Sequence, residues 1–288
     1  MWKRGAPGHA IFGYINGALL IIIALAMFYP FWHEVCISLS AGTEATRGGV
    51  FLLPRRFTFE AYSMVLKNVF VWTAYKNSIF CAVLTTLLGT LTSAMLAYPL
   101  AKRQLMGGRT LSFLVTFCMI FNGGLIPTYL MIHSLGLTDS LWALILPVAV
   151  TPYNTIIMKN FFSTLPQELE EAAFIDGASP LRIFFQIILP LSKAVLATIA
   201  LWIVVASWNN FQGPLIYINE RARFTLPLYV RQVIDGQIIS RQTGEGAKAA
   251  VESVVGATII VTILPVVCAY PFLQKYFVKG VMIGSVKG

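Results

Sequence analysis

TLPQELEEAAFIDGASPLRIFFQIILP, residues 164–190, is the one long stretch of mixed polarity set between runs too apolar for water. Thr164 followed by Gln167 has the spacing of a capping box, and Pro166 falls in a first turn, where a missing N–H costs nothing, so a helix is predicted to start there. Glu168, Glu170 and Glu171 then lie near its positive N-terminal end, and Gly177 supplies the left-handed residue that ends it. Ser179 and Pro180 restart a helix as N-cap and first position, and Pro190 stops the run that begins at Leu181. The pattern is helix, tight turn, helix. Leu169, Phe174, Ile175, Ile183, Phe184 and Phe185 make it more apolar than a solvated loop. An apolar ridge of that kind either meets a partner or packs back on its own domain as a plain connector.

The flanks decide the fold class. With 57% hydrophobic and 11% charged residues and a mean hydropathy of +0.74, the chain is read as a polytopic membrane protein. Six runs, 11–32, 77–100, 111–132, 141–158, 194–218 and 254–272, contain no Asp, Glu, Lys or Arg. Each is about the 20 residues that cross a hydrocarbon core as a helix. The shorter alternating segments of a membrane barrel are absent, so an all-α fold with six transmembrane helices in one domain, 1–288, is expected. Lys3 and Arg4, then Lys102, Arg103 and Arg109, then Lys275, Lys279 and Lys287 fall on one side of these spans. That side is cytoplasmic by the positive-inside rule, which places both termini and the 164–190 hairpin inside.

No cleaved secretion signal is read at the N-terminus, because the first run is long enough to span. Cys36, Cys81, Cys118 and Cys268 are scattered and read as small apolar residues. His9, His33 and His133 stand alone, without metal-ligand spacing. Between spans one and two, Arg55 and Arg56 followed by FTFEAYSMVL and by Trp72 and Tyr75 suit a short helix lying at the membrane interface, or contact with an outer partner.

Two places inside the spans carry polar chemistry. In span three, Gly123, Gly124 and Pro127 weaken the helix and free backbone carbonyls, a break tolerated only where protein or water satisfies them. Asn122 beside it faces either a hydrated pathway or a close helix contact. Span four holds Pro147, Pro152, Tyr153 and Asn154. Span five is the most polar, with Ser207, Trp208, Asn209, Asn210 and Gln212 before Gly213 and Pro214. Amides at membrane depth need partners, and amide with indole suits a sugar, whose hydroxyls want hydrogen bonds and whose CH faces stack on rings. The same residues also suit an amide clamp between helices, or the outer end of span five.

Glu171-Ala172-Ala173, Asp176, Gly177 four residues after Ala173, then Ile187, Leu189 and Pro190 resemble the EAA motif of permease subunits of bacterial ATP-binding-cassette (ABC) importers. The stretches 122–130, NGGLIPTYL, then GLTD at 136–139 and WALILP at 142–147, resemble the LplC-like branch of carbohydrate importer permeases, related to the smaller permease of maltose-type systems. The resemblance implies a bacterial inner-membrane subunit working with a second, homologous permease, two ATPases that hold ATP and magnesium, and an extracytoplasmic binding protein. It implies that Ala172, Ala173 and Gly177 enter a cleft on an ATPase while Glu171 pairs with a cation there. It implies, too, that the outer loop 219–253, with Arg221, Arg223, Tyr229 and Arg231, reaches toward the binding protein, and that the tail 274–288 lies against the ATPases. No cofactor is expected on this chain, and its expected contacts are saccharide, lipid and protein rather than nucleic acid.

The energy source is argued from the residues themselves. The spans hold no charged side chain to carry a coupling ion, and the chain has no G-x-x-x-x-G-K-[ST] loop to cradle ATP. A separate motor acting through the hairpin fits that pattern; a secondary carrier or a channel for a small polar solute is the rival, and a membrane enzyme lacks a candidate catalytic set.

Overall fold

The computed structural model describes residues 7–45, 49, 52–102, 104–243 and 252–268. The expected tail 274–288, the end of the sixth run and positions 244–251 of the outer loop lie outside these. Among the described residues the secondary structure is helical, with one isolated antiparallel bridge between Ser40 and Phe57, so the chain is all-α in class. Besides a single α-helical turn at Gly42–Ala45, the α-helices among the described residues are α1 (Pro7–Ser38), α2 (Glu60–Lys67), α3 (Val69–Leu100), α4 (Gly108–Ile120), α5 (Leu125–Ser134), α6 (Trp142–Ile145), α7 (Pro152–Phe162), α8 (Glu168–Ile175), α9 (Pro180–Leu191), α10 (Lys193–Trp208), α11 (Gln212–Tyr217), α12 (Leu226–Thr243) and α13 (Glu252–Cys268). Two compact units form, residues 1–69 with 230–265 and residues 70–229 with 266–288.

Among the described residues, only α1, over Phe12–Ser38, and α3 are single helices long and apolar enough to cross a bilayer unaided. The third run is not one helix: α4 and α5 meet at 107° across residues 121–124. The backbone groups freed there are met locally, as Asn122 Oδ1 accepts from the Gly124 N–H at 3.0 Å and the Thr128 hydroxyl donates to the Gly124 carbonyl at 2.7 Å. The fourth run is likewise divided, by a 3-10 turn at Leu146–Val148, before Pro152 opens α7. The fifth ends as α10 at Trp208 and resumes as α11. There Asn209 Nδ2 donates to the Val205 carbonyl (3.0 Å), and Asn210 Oδ1 accepts from the Gly213 N–H (3.1 Å).

In the first unit a single buried hydroxyl organises the segment after α1. Ser40 Oγ donates to the Cys36 carbonyl at 2.6 Å and accepts from the Arg55 N–H at 2.9 Å, while the Ser253 hydroxyl at the start of α13 donates to the Ser40 carbonyl at 3.0 Å. Ser38 and Tyr62 share a 2.8 Å hydrogen bond that seats α2.

In the second unit α3 is the spine. Ala94 and Ala97 near its C-terminal end join Met158, Phe162, Ala173, Ile183, Phe184, Ile188, Val195, Ile199 and Ile203 in one core. Cys81 in its N-terminal half joins Ile132, Ala143, Leu144, Ile145, Tyr217, Ile218 and Leu228 in another. Between the two, Gly89 lets α10 come close, since a Cβ there would sit 3.0 Å from Ile203 Cδ1.

The N-terminal part of α3 also pins the loop that follows α11. Asn77 Nδ2 donates to the carbonyls of Ala222 (2.9 Å) and Phe224 (3.0 Å), and Ser78 Oγ accepts from the Leu226 N–H (2.8 Å). From the α5–α6 turn, Asp139 Oδ1 accepts from the N–H groups of Asn219 and Glu220, both at 3.0 Å. Those bonds, the one from Glu220 first and that from Asn219 next among the lowering causes, with Arg223 nearby, hold the Asp139 carboxyl below its ordinary pKa of 3.8. A depressed carboxylate stabilises the fold above its unfolded pKa, and that contribution is lost as pH falls through the folded one. The Asn219 and Glu220 amides should therefore stay protected from hydrogen exchange down to about pH 4 and open only below it. In Asp139→Ala the same two amides should exchange faster at neutral pH, read by mass spectrometry of the detergent-solubilised protein.

Candidate functional site

The hairpin forms as two helices, with corrections to how each starts and stops. No capping box forms at Thr164: its hydroxyl donates back to the Phe161 carbonyl at 2.7 Å, closing the end of α7, and α8 begins only at Glu168. Pro166 thus lies ahead of the helix. The C-terminus of α8 is a Schellman turn, in which the Ala178 N–H reaches the Ala173 carbonyl and the Gly177 N–H the Phe174 carbonyl, both at 3.0 Å. Gly177 stands at φ +78°, the left-handed region glycine enters without strain. Ser179 caps α9 through the Arg182 N–H as its sequence position predicts. Pro190 does not stop the helix at once. Lacking an N–H, and with a ring that would clash with the Gln186 carbonyl, it is preceded by a π turn over Phe184–Ile188. The chain turns after Leu191, and α9 meets α10 at 82°.

The apolar ridge divides between two duties. Ile183 and Phe184 are buried in the inner core with Ala173, whereas Leu169, Phe174, Ile175, Leu181 and Phe185 remain exposed, Ile175 by 86%. Of the motif residues, Glu171, Ala172, Asp176, Gly177 and Pro190 are exposed, Leu189 is half-buried and Ala173 faces inward. Sequence position distinguishes Glu171 from Glu170; the structure distinguishes their partners. Glu170 forms an ion pair with Lys102 and accepts from the Tyr98 hydroxyl at 3.1 Å. Burial pulls the Lys102 ammonium below the ordinary lysine pKa, and the carboxylate beside it acts in the opposite sense. Among the described residues no ion pair engages Glu171.

A second feature lies between the two cores of the α3 unit. A cavity of about 570 Å³ is lined by Thr85, Leu144, Val148, Thr151, Tyr153, Asn154, Trp202, Ile203, Ala206, Ser207 and Asn210. The Tyr153 and Trp202 rings lie 6.0 Å apart at 34°. Asn154 is buried, and the hydroxyls of Thr85, Thr86, Thr90 and Ser93 on α3 have no hydrogen-bond partner among the described residues. Thr85 thus offers the cavity an uncommitted donor and acceptor. No lining residue is charged. Aromatic faces, amides and free hydroxyls in an uncharged cleft suit a polyhydroxylated, neutral molecular surface.

The structure therefore brings together Tyr153, Asn154 and Asn210 of the expected pathway. Asn122, Trp208, Asn209 and Gln212 do not line this cavity; Asn122 and Asn209 serve the helix breaks beside them. Sequence reading passed over Trp202, Thr85 and Thr151. The available signal was a lone indole in the apolar run 194–206 and a threonine cluster in 85–92.

Three arginines after α11 are already engaged. The Arg221 guanidinium lies 3.9 Å from the Phe70 ring centroid, Arg223 pairs with Glu220 at 3.2 Å and Arg231 with Asp235 at 2.9 Å. All three arginines are exposed, while Tyr229 is buried and its phenol pKa is raised by that burial.

Comparison with known proteins follows the same lines. The chain is 42% identical to Protein LplC of Bacillus subtilis strain 168 over 281 residues, covering 96% of this chain and 95% of that protein. It is 38% identical to the polygalacturonan/rhamnogalacturonan transport system permease protein YtcP of the same organism, covering 96% and 99%. Among solved structures it is similar to a chain in the crystal structure of a bacterial ABC transporter involved in the import of the acidic polysaccharide alginate, with 34% identity, a TM-score of 0.87 and coverage of 96% of this chain and 100% of that one. The family described as binding-protein-dependent transport system inner membrane component matches residues 20–283, and the chain belongs to it.

Proposed function

We propose that the chain is one of two membrane subunits of an ATP-driven importer of oligosaccharides in the bacterial cytoplasmic membrane. It works beside a second, homologous permease, with two ATPases inside and a binding protein outside. The observation that carries the reading is the uncharged cavity with its neighbouring Tyr153 and Trp202 rings, set in a chain whose relatives are named for carbohydrate transport. Polygalacturonan and alginate are uronate polymers, so oligomers bearing carboxylates belong to the expected substrate class. Their charge is not met in this cavity; it falls to the second permease or to the exposed Arg221 and Arg223 of the outer loop.

Six crossings with both termini inside are the topology we infer from the six charge-free runs and the positions of the basic residues. They are α1, α3, the broken pair α4–α5, the segment 141–158, α10 with α11, and α13. A reporter fused after Gly288 should accordingly be active only in the cytoplasm; an extracytoplasmic signal refutes this topology.

Glu171, Ala172, Asp176 and Gly177, with the exposed Phe174 and Ile175 alongside, form the face offered to the ATPase together with the exposed Pro190, and Ala173 and Leu189 seat that face on the bundle. Closure of the ATPases on ATP moves the hairpin and thereby rocks the helices around the cavity. The complete assembly in proteoliposomes should take up oligosaccharide from its binding protein only with ATP present. Gly177→Trp should abolish uptake while ATP hydrolysis continues. Trp202→Ala should lower uptake by about two- to tenfold. Uptake without ATP, or at the wild-type rate in Gly177→Trp, would overturn the proposal.

A further inference from the structure

Glu170 is gripped by the inner end of α3. Its carboxylate pairs with Lys102 and accepts from the Tyr98 hydroxyl at 3.1 Å, and the same ammonium lies 4.3 Å from the Tyr98 ring centroid. The Lys102 and Glu170 side chains are only 32% and 20% exposed, which weakens solvent screening relative to a free surface pair. The hairpin's other contact with α3 is apolar, where Ala173, Ile183 and Phe184 share a core with Ala94 and Ala97. Apolar contact is non-directional and tolerates slip, whereas a hydrogen-bonded ion pair fixes both position and direction.

We propose that Lys102 and Tyr98 latch onto Glu170 so that the hairpin and α3 move as one body, delivering hairpin displacement to the cavity wall at Thr85 instead of losing it as slip. From Tyr98 to Thr85 the chain is one helix, about 20 Å long. Glu170 and its neighbour Glu171 then divide the work: one holds the bundle and the other is left for the motor. Glu170 and Lys102 are positioning residues, since neither lines the cavity. This inference rests on the import function proposed above.

The test uses the complete assembly in proteoliposomes and reads ATP hydrolysed per saccharide imported, together with co-purification of the ATPases. Lys102→Met and Glu170→Gln should each assemble normally and raise that ratio by about five- to fiftyfold. Tyr98→Phe should raise it less, in the same direction. The exchanged pair Lys102→Glu with Glu170→Lys should return it to within about threefold of wild type. The latch is overturned if both single variants keep the wild-type ratio, or if the exchanged pair is no better than either single variant. Single variants that fail to assemble with the ATPases assign the pair a structural role and overturn it equally. A wild-type assembly that shows no ATP-driven uptake refutes the import function itself, a result distinct from wild-type uptake with unaffected variants.

Discussion

A peptide group at membrane depth has no water to turn to, so every interruption of a helix must carry its own hydrogen-bond partners. The α3 unit is built around that constraint. Where α4 gives way to α5, Asn122 and Thr128 take up the groups around Gly124; where α10 gives way to α11, Asn209 and Asn210 do the same. These amides are costly in hydrocarbon and are therefore the part of the spans that most needs an explanation. Much of it is local repair of the backbone. Asn210 alone among these four both caps a helix and lines the cavity.

The long helix α3 makes those interruptions affordable by remaining whole. Its N-terminal part holds the loop after α11 through Asn77 and Ser78, its C-terminal end holds the hairpin through Tyr98 and the following Lys102, and its middle forms a wall of the cavity at Thr85. One continuous helix thus carries polar fastenings towards both ends and a cavity wall between them. Small residues keep it close to its neighbours: Gly89 faces Ile203 of α10, and Ala94 and Ala97 face the hairpin core.

The candidate site was only partly legible in the sequence. Gly177, Ser179 and Pro180 were readable because each has a local backbone role that neighbouring residues do not change. Thr164 was misread because its hydroxyl had two short-range carbonyl and amide choices, and the end of α7 took it. Tyr153 and Asn154 were found because polar groups in an apolar run demand attention. Trp202 was missed because a single indole in such a run looks like core until Tyr153 is placed against it from another helix. The polar cluster 207–212 looked like one site but divides between a cavity and two helix ends, because successive residues in a broken helix face different ways.

The sequence by itself determined the class of protein and the hairpin. Charge-free runs of about 20 residues leave few alternatives in hydrocarbon, and glycine, serine and proline fix a helical turn through their own backbone chemistry. Only the tertiary structure decided which glutamate of the adjacent pair faces the bundle, that Tyr153 and Trp202 share a neutral cleft, and that Arg221, Arg223 and Arg231 are already engaged. Those facts depend on residues tens of positions apart meeting in space, as Lys102 meets Glu170 and Tyr153 meets Trp202, and helical periodicity carries no information about what stands opposite.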